Sequence, residues 1–197
     1  MKVLLSLIAL SLPLSAQTVT EVKESQTPYL SLKLEAERAI PTGIAFLKQQ
    51  QQPEGHWGDP KTPAITALAL TAILRDPSLD HSKELPDWVA KGYEFLRNNQ
   101  KTDGGIYGKG LATYSTSTSI MALLALGEKT DEPLILKARA FLINQQTDWG
   151  NKGESDDQFD GGIGYGGSYA HSDMSNTYLS LEAVSYTHLT LPTTPYV

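Results

Sequence analysis

The feature that most constrains this chain is a composite pattern that returns about every 50 residues. Its clearest copy runs from Lys91 to Leu126. An amphipathic stretch comes first, with Tyr93, Phe95 and Leu96 on or beside one face at helical spacing. A polar segment ending in Gln100 leads into Asp103-Gly104-Gly105-Ile106-Tyr107-Gly108, whose glycines forbid a continuing helix. Tyr114 to Ser119 is rich in serine and threonine and suited to capping a helix start. The nearly all-apolar run Ile120 to Leu126 then stops at Gly127, a C′ residue by position. A helix apolar all round must be buried on every side. The unit predicts one half-exposed helix, a glycine turn and one buried helix.

The same order appears twice more. Upstream, Gly43, Phe46 and Leu47 lead through Gln49 to Gln52 into Gly55-His56-Trp57-Gly58, then Thr62 and the apolar run Ala64 to Leu74. Downstream, Ala138, Phe141 and Leu142 lead to Gln145-Gln146, then Gly161 to Gly166, then Ser175-Asn176-Thr177 and Leu179 to Val184. Phe46, Phe95 and Phe141 are 49 and 46 residues apart. A period in this range predicts a repeat architecture in which no unit buries its face alone. At least five helices are expected between Arg38 and Val184, with Ala64–Leu74, Ile120–Leu126 and Leu179–Val184 in one inner layer. A chain of 197 residues, 40% of them hydrophobic, suffices for one domain with a real core.

These residues resemble the QW repeat of the squalene-cyclase and prenyltransferase superfamily. Lys91-Gly92, Phe95-Leu96, Gln100 and Gly105-Ile106-Tyr107 fit it, with Tyr107 in place of tryptophan. Thr42-Gly43, Phe46-Leu47, Gln51 and Gly55-His56-Trp57 fit with Thr42 in place of the basic residue. Lys137-Ala138, Phe141-Leu142 and Gln146 fit, and an insert delays the glycine-aromatic half to Tyr165. The resemblance implies an all-α fold, an incomplete α/α toroid of about three helix-pair repeats (38–86, 87–131 and 132–184). Inner helices would line a cavity and outer ones wrap them. Toroids of this kind hold five or six pairs, so three imply about half a ring. Leu179, Leu181 and Val184 would then stand uncovered, and the chain would associate through that flank or be poorly soluble. The resemblance also implies that Trp57, Tyr107 and Tyr165 occupy equivalent positions as wedges between repeats. The other reading puts them with Tyr114 and Tyr169 in an aromatic rim at the cavity mouth.

The flanking segments read differently. Lys2, the apolar run Val3 to Leu14 and the small residues Ser15-Ala16 make a secretory signal peptide, 1–16, too short to span a membrane. Residues 17–37 read as a linker and a leading helix that ends near Ile40, with Pro41 in the first turn of the next helix. Pro86-Asp87 and Pro133 start the later outer helices. From Ser185 the helical period is lost, and Ser185 to Thr193 resembles translated sequencing-adapter read-through. Residues 185–197 therefore read as a non-native tail, and the native protein is expected to continue differently.

The chemistry is less specified. No Asp-x-Asp-Asp occurs, the motif that the resemblance would require for a cyclase acid. The nearest cluster, Asp156-Asp157-Gln158-Phe159-Asp160, reads as a solvated acidic loop, with ion binding or catalysis by Asp160 as the sharper alternative. A prenyltransferase-like zinc site needs a cysteine, and the chain has none. His171 and Asp173 supply two ligand types at close spacing, or Asp173 and Ser175 simply cap the last helix. His56 is either a loop residue or part of the cavity mouth. No Cys-Gly-Glu-Gln thioester and no Gly-Lys-Ser/Thr phosphate loop is present. Inner-helix N-termini gathered beside the glycine turns would favour anionic or hydroxyl-rich ligands, with Asp103 and Tyr107 at the same turns. A net charge of −6 argues against a nucleic-acid partner. No cofactor and no metal are expected. Two functions follow: an exported, non-catalytic toroid that binds an apolar or hydroxyl-rich small ligand or a partner, periplasmic or extracellular; or a terpenoid cyclase or prenyltransferase-like enzyme whose acid lies in further repeats.

Overall fold

The computed structural model describes residues 29–166 and 171–190, the last three as backbone alone. The expected leader 1–16, Tyr169 and Leu191 onward lie outside the described residues. Six α-helices follow in order: α1 Leu30–Gln50, α2 Pro63–Leu74, α3 Asp87–Asn98, α4 Ala112–Leu126, α5 Glu132–Ile143 and α6 Met174–Thr190. A 3-10 turn at Lys129–Asp131 leads into α5. Among the described residues there is no strand, and isolated bridges join Gln100 to Ile106 and Gln146 to Ile163. The fold is an all-α segment of an α/α toroid with three helix pairs.

Sequence chemistry explains the boundaries. Pro63 and Pro133 occupy the first turns of α2 and α5, where a missing N–H costs nothing. Gly127 ends α4 at φ 74° and donates its N–H to the Leu123 carbonyl. Helix α4 is buried along nearly its whole length, between α2 and α6. Leu70, Ile120, Leu123, Leu96 and Leu142 form the heart of the core. The inner helices run parallel. Lys109 N–H donates to the Lys61 carbonyl at 3.1 Å just ahead of α4 and α2, and Thr113 N–H donates to the Tyr165 carbonyl at 3.3 Å. Their N-termini thus gather beside the glycine turns.

Four expectations change. Helix α4 begins at Ala112, not Ile120, so the Ser/Thr segment lies inside the helix rather than capping it. Thr116 and Thr118 donate to the carbonyls of Ala112 and Tyr114 at 2.7 and 2.9 Å, the intrahelical alternative open to short hydroxyls. Their small size also lets the inner helices close up, and Ser117 Oγ meets Ser180 Oγ at 3.1 Å. Helix α1 runs unbroken through Pro41, so one helix crosses the expected boundary between residues 37 and 38. Helix α6 spans Met174 to Thr190 and so passes Val184, with Thr187 buried and bonded to the Val184 carbonyl. The described part of the expected tail is therefore helical. Of the three apolar residues expected to be uncovered, Leu181 is exposed, Leu179 is half-buried and Val184 packs on the core.

Candidate functional site

Each unit is tied to the next by one set of contacts. Gln51 Nε2 donates to the carbonyl of Gly55 in its own turn (2.8 Å) and to that of Trp88 in α3 (2.7 Å). Gln100 repeats this with Gly104 (3.1 Å) and Leu134 of α5 (2.9 Å). The glycine packs against the same helix turn. A Cβ on Gly55 would lie 2.5 Å from the Lys91 carbonyl oxygen, and one on Gly104 would lie 2.5 Å from that of Lys137. A ring completes the joint: His56 stacks on Phe95 at 5.1 Å and Tyr107 on Phe141 at 5.7 Å. The turn also grips its own inner helix. The N–H groups of Trp57, Ile106 and Ile163 donate to Thr66, Thr116 and Thr177 Oγ1 at 3.0, 2.9 and 2.9 Å.

This register corrects the expected equivalence of Trp57, Tyr107 and Tyr165. The backbone counterparts of Trp57 are Ile106 and Ile163, all three buried. Trp57 is a wedge: it donates Nε1–H to the Leu47 carbonyl, crosses Trp88 edge-on and lies beside Gly92. Tyr107 is half-buried and donates to Asp103 Oδ2 at 2.6 Å, a bond that raises its pKa, with burial acting the same way. Tyr165 is exposed. His56 is buried in the joint, its Nδ1 3.1 Å from the Gly58 carbonyl.

In the third unit the joint is open. Gln146 reaches the Gly161 carbonyl at 3.5 Å, and a Cβ on Gly161 would meet nothing within 4 Å. A cleft of about 740 Å³ lies there, lined by Ile143, Gln146, Thr147, Asp148, Lys152 and Gly161 among others. The contrast makes a prediction. Gln100→Ala should cost about 1–3 kcal/mol by stranding two carbonyls, and Gln146→Ala less than about 0.5 kcal/mol. Urea unfolding of both variants measures the difference, and equal costs would contradict the joint.

The acidic insert holds itself together. Asp160 accepts N–H bonds from Trp149 (2.8 Å), Asp157 (2.8 Å) and Asp156 (3.0 Å), and these hold its carboxyl below the usual carboxylate range. Asp156 accepts from Asn151 N–H, and Trp149 meets Phe159 edge-on. A carboxyl with a depressed pKa stabilises the fold above its unfolded value and loses that contribution as pH falls through the folded value. Amide protection at Trp149, Asp156 and Asp157 should therefore fall between about pH 6 and about pH 2. Protection unchanged by Asp160→Asn at neutral pH would contradict it.

Asp173 caps α6. It accepts from Asn176 N–H (2.9 Å), Ser175 Oγ (2.7 Å) and Asn176 Nδ2 (2.7 Å). Burial alone would raise its pKa, but these bonds outweigh it and the net shift is downward. His171 is exposed nearby, and no cluster of three potential metal ligands occurs among the described residues. Asp103 turns its other oxygen to Gly105 N–H at 2.9 Å.

The structure places Asp160, among the sequence candidates, in the lining of the cleft beside Gln146 and Gly161. It also brings Tyr114 onto a face that sequence reasoning missed. On α4, Tyr114, Met121 and Ala125 are only partly covered and lie across the helix from Thr116 and Leu123, which are buried. Thr71 on α2 and Ser175 and Glu182 on α6 occupy matching positions, counted from Thr66, Thr116 and Thr177. This face mixes apolar, hydroxyl and, at Glu182, carboxylate groups. The buried carboxylate among the described residues is elsewhere: Asp131 holds Arg97 through both oxygens, at 2.7 and 2.9 Å. Tyr93 beside them donates to the Ala122 carbonyl, and burial raises its pKa, with Arg97 opposing and Asp131 adding to the shift. No helix among the described residues is long and apolar enough to cross a membrane.

No solved structure matches the chain. The model of the squalene-hopene cyclase C-terminal domain matches residues 59–186. That span takes in the joint of Gln100 and Gly104, the third glycine turn, inner helices α2 and α4 and most of α6, and the chain belongs to the squalene-hopene cyclase C-terminal domain family.

Proposed function

We propose that this chain is an exported, non-catalytic squalene-cyclase-like protein that binds an apolar small molecule bearing a hydroxyl group. The ligand lies along the inner-helix face of Thr71, Tyr114, Met121, Ala125 and Ser175. The observation that carries this reading is the state of Asp131. A cyclase acid must be buried, dry and neutral, whereas Asp131, the buried carboxylate among the described residues, is locked into an ion pair with Arg97. The face itself offers methyl and thioether surface with phenol and hydroxyl groups at intervals, and Glu182 can accept a hydrogen bond from a ligand hydroxyl, the mixture that fits such a ligand.

Export rests on Lys2 and the apolar run Val3 to Leu14. A fusion of Met1–Gln26 to a phosphatase that is active only outside the cytoplasm should be active, and an inactive fusion would sink this part of the proposal. The second reading, a terpenoid cyclase whose acid lies in other repeats, draws on the family match. Incubation with squalene and with farnesol separates them. Retention of unchanged farnesol, weakened about tenfold by Tyr114→Ala, supports binding; that loss corresponds to about 1.4 kcal/mol. A cyclised hydrocarbon or alcohol would overturn the non-catalytic reading.

A further inference from the structure

We infer that the cleft between α3, the end of α4 and the turn before α5 is a binding site for a linear organic polyamine. The cleft encloses about 610 Å³ and adjoins a smaller hollow of about 140 Å³ that shares Glu84, Leu85, Leu126 and Glu128 with it. Its walls lie within residues 74–131, in the middle of the chain, with helices on both sides. It is separate from the inner-helix face: Leu126 lies twelve residues beyond Tyr114 on α4, about 18 Å along the axis.

The repeats show that this cleft holds something the joint does not need. Gln51 with Trp88 and Gln100 with Leu134 set the register between the first two joints. In that register Lys48 stands at the position of Arg97 and Leu85 at the position of Asp131, while Ile143 takes the place of Arg97 in the third unit. Lys48 lies over the Trp88 ring at 5.9 Å, and the first joint closes without a buried ion pair. A buried pair adds little net stability, because desolvation offsets the attraction. Asp131 and Arg97 are thus an addition of the second unit, and both line its cleft. Desolvated charge in a concave, partly apolar setting is the arrangement that binding sites use.

The charge of the cleft selects a cation. Across the two hollows four carboxylates, Asp80, Glu84, Glu128 and Asp131, stand with two cations, Lys83 and Arg97. Lys83 pairs with Asp80 at 3.1 Å and Arg97 with Asp131 at 2.7 Å. Glu84 and Glu128 therefore have no ion-pair partner among the described residues. Helices α2 and α4 both end here, at Leu74 and Leu126, and neither has a basic residue in its last turn. The negative ends of two helix dipoles add to the field. Arg75, one residue past α2, does not line either hollow. The Asp131 bonds raise the pKa of Arg97 against the opposing effect of burial, and the Glu128 charge adds to the rise. Among the described residues no three potential ligands cluster to hold a metal ion, so the cation that fits is organic. Leu85 and Leu126 line both hollows and offer apolar surface to methylene spacers, while Glu84 and Glu128 receive the ammonium groups.

Calorimetric titration of the 197-residue chain with spermidine tests this. Binding should appear with a Kd below about 1 mM and weaken at least about tenfold in Glu84→Gln/Glu128→Gln. Both glutamates are exposed, so that variant should keep its helical circular-dichroism signal. Glu35→Gln/Glu94→Gln removes the same charge from exposed positions outside the cleft and should bind spermidine like the parent. Absence of binding at about 1 mM spermidine would overturn the inference. So would a cleft variant that binds as tightly as the parent, or a control variant that loses as much, which would mean a diffuse response to net charge.

Discussion

Gly104→Ala is expected to destabilise the protein by about 3 kcal/mol, more than most single substitutions on its surface. Two costs combine. At φ 93° the backbone is in a region that L side chains rarely adopt, and the new Cβ would sit 2.5 Å from the Lys137 carbonyl oxygen. The oxygen belongs to α5, so relief requires α5 to back away from Gln100 and Tyr107, loosening the whole joint. Gly161→Ala is the control. Its φ of 75° carries a similar conformational cost, about 1–2 kcal/mol, but nothing lies within 4 Å of the added atom. Paired urea melts would show the difference, and equal losses would mean that close approach of the helix does not matter.

Asp131→Ala is expected to cost about 2–3 kcal/mol. Breaking a buried ion pair costs about 3–5 kcal/mol, and Arg97 recovers part of that because its side chain is 34% exposed. The pair joins the C-terminal turn of α3 to the start of α5, and Arg97 also lies 6.0 Å from the Tyr93 ring centroid. Replacing both partners, as Arg97→Met/Asp131→Leu, should restore much of the loss because no stranded charge remains. A double variant no better than the single one would show that the pair acts through geometry rather than charge compensation.

The repeat was legible because the joint uses side chains that recur: Gln51, Gln100 and Gln146, then a glycine, then a ring nearby. The register of the turn was not. Position there is set by the N–H groups of Trp57, Ile106 and Ile163, and a backbone donor leaves no mark on residue type. Aligning aromatic residues therefore paired Trp57 with Tyr107. The threonines that receive those bonds do carry a signal, since Thr66, Thr116 and Thr177 each follow a glycine turn. The Ser/Thr run of α4 misled for a different reason: hydroxyls that cap helices also bond within them. Tyr114 could be nominated from sequence, but its companions Thr71 and Met121 could not, because their exposure depends on which side of α4 the outer helices cover. Leu181 was foreseen as exposed because the count of repeats, not the covering of α4, places it at the edge.

The third turn shows how such a scaffold can acquire novelty. Thr147 and Gly161 are hydrogen-bonded like Gln52 with Gly55 and Lys101 with Gly104, although thirteen residues now intervene instead of two. The neck is pinned identically, so whatever is threaded between its ends leaves the helices where they were. Closing the longer loop costs only about 1.4 kcal/mol more in chain entropy, and the carboxylate caps of Asp148, Asp156 and Asp160 offset some of it. Mutation can thus rewrite this segment without renegotiating the core. The turn is a place where a lineage can try out new surface, and where an engineer can graft a foreign loop.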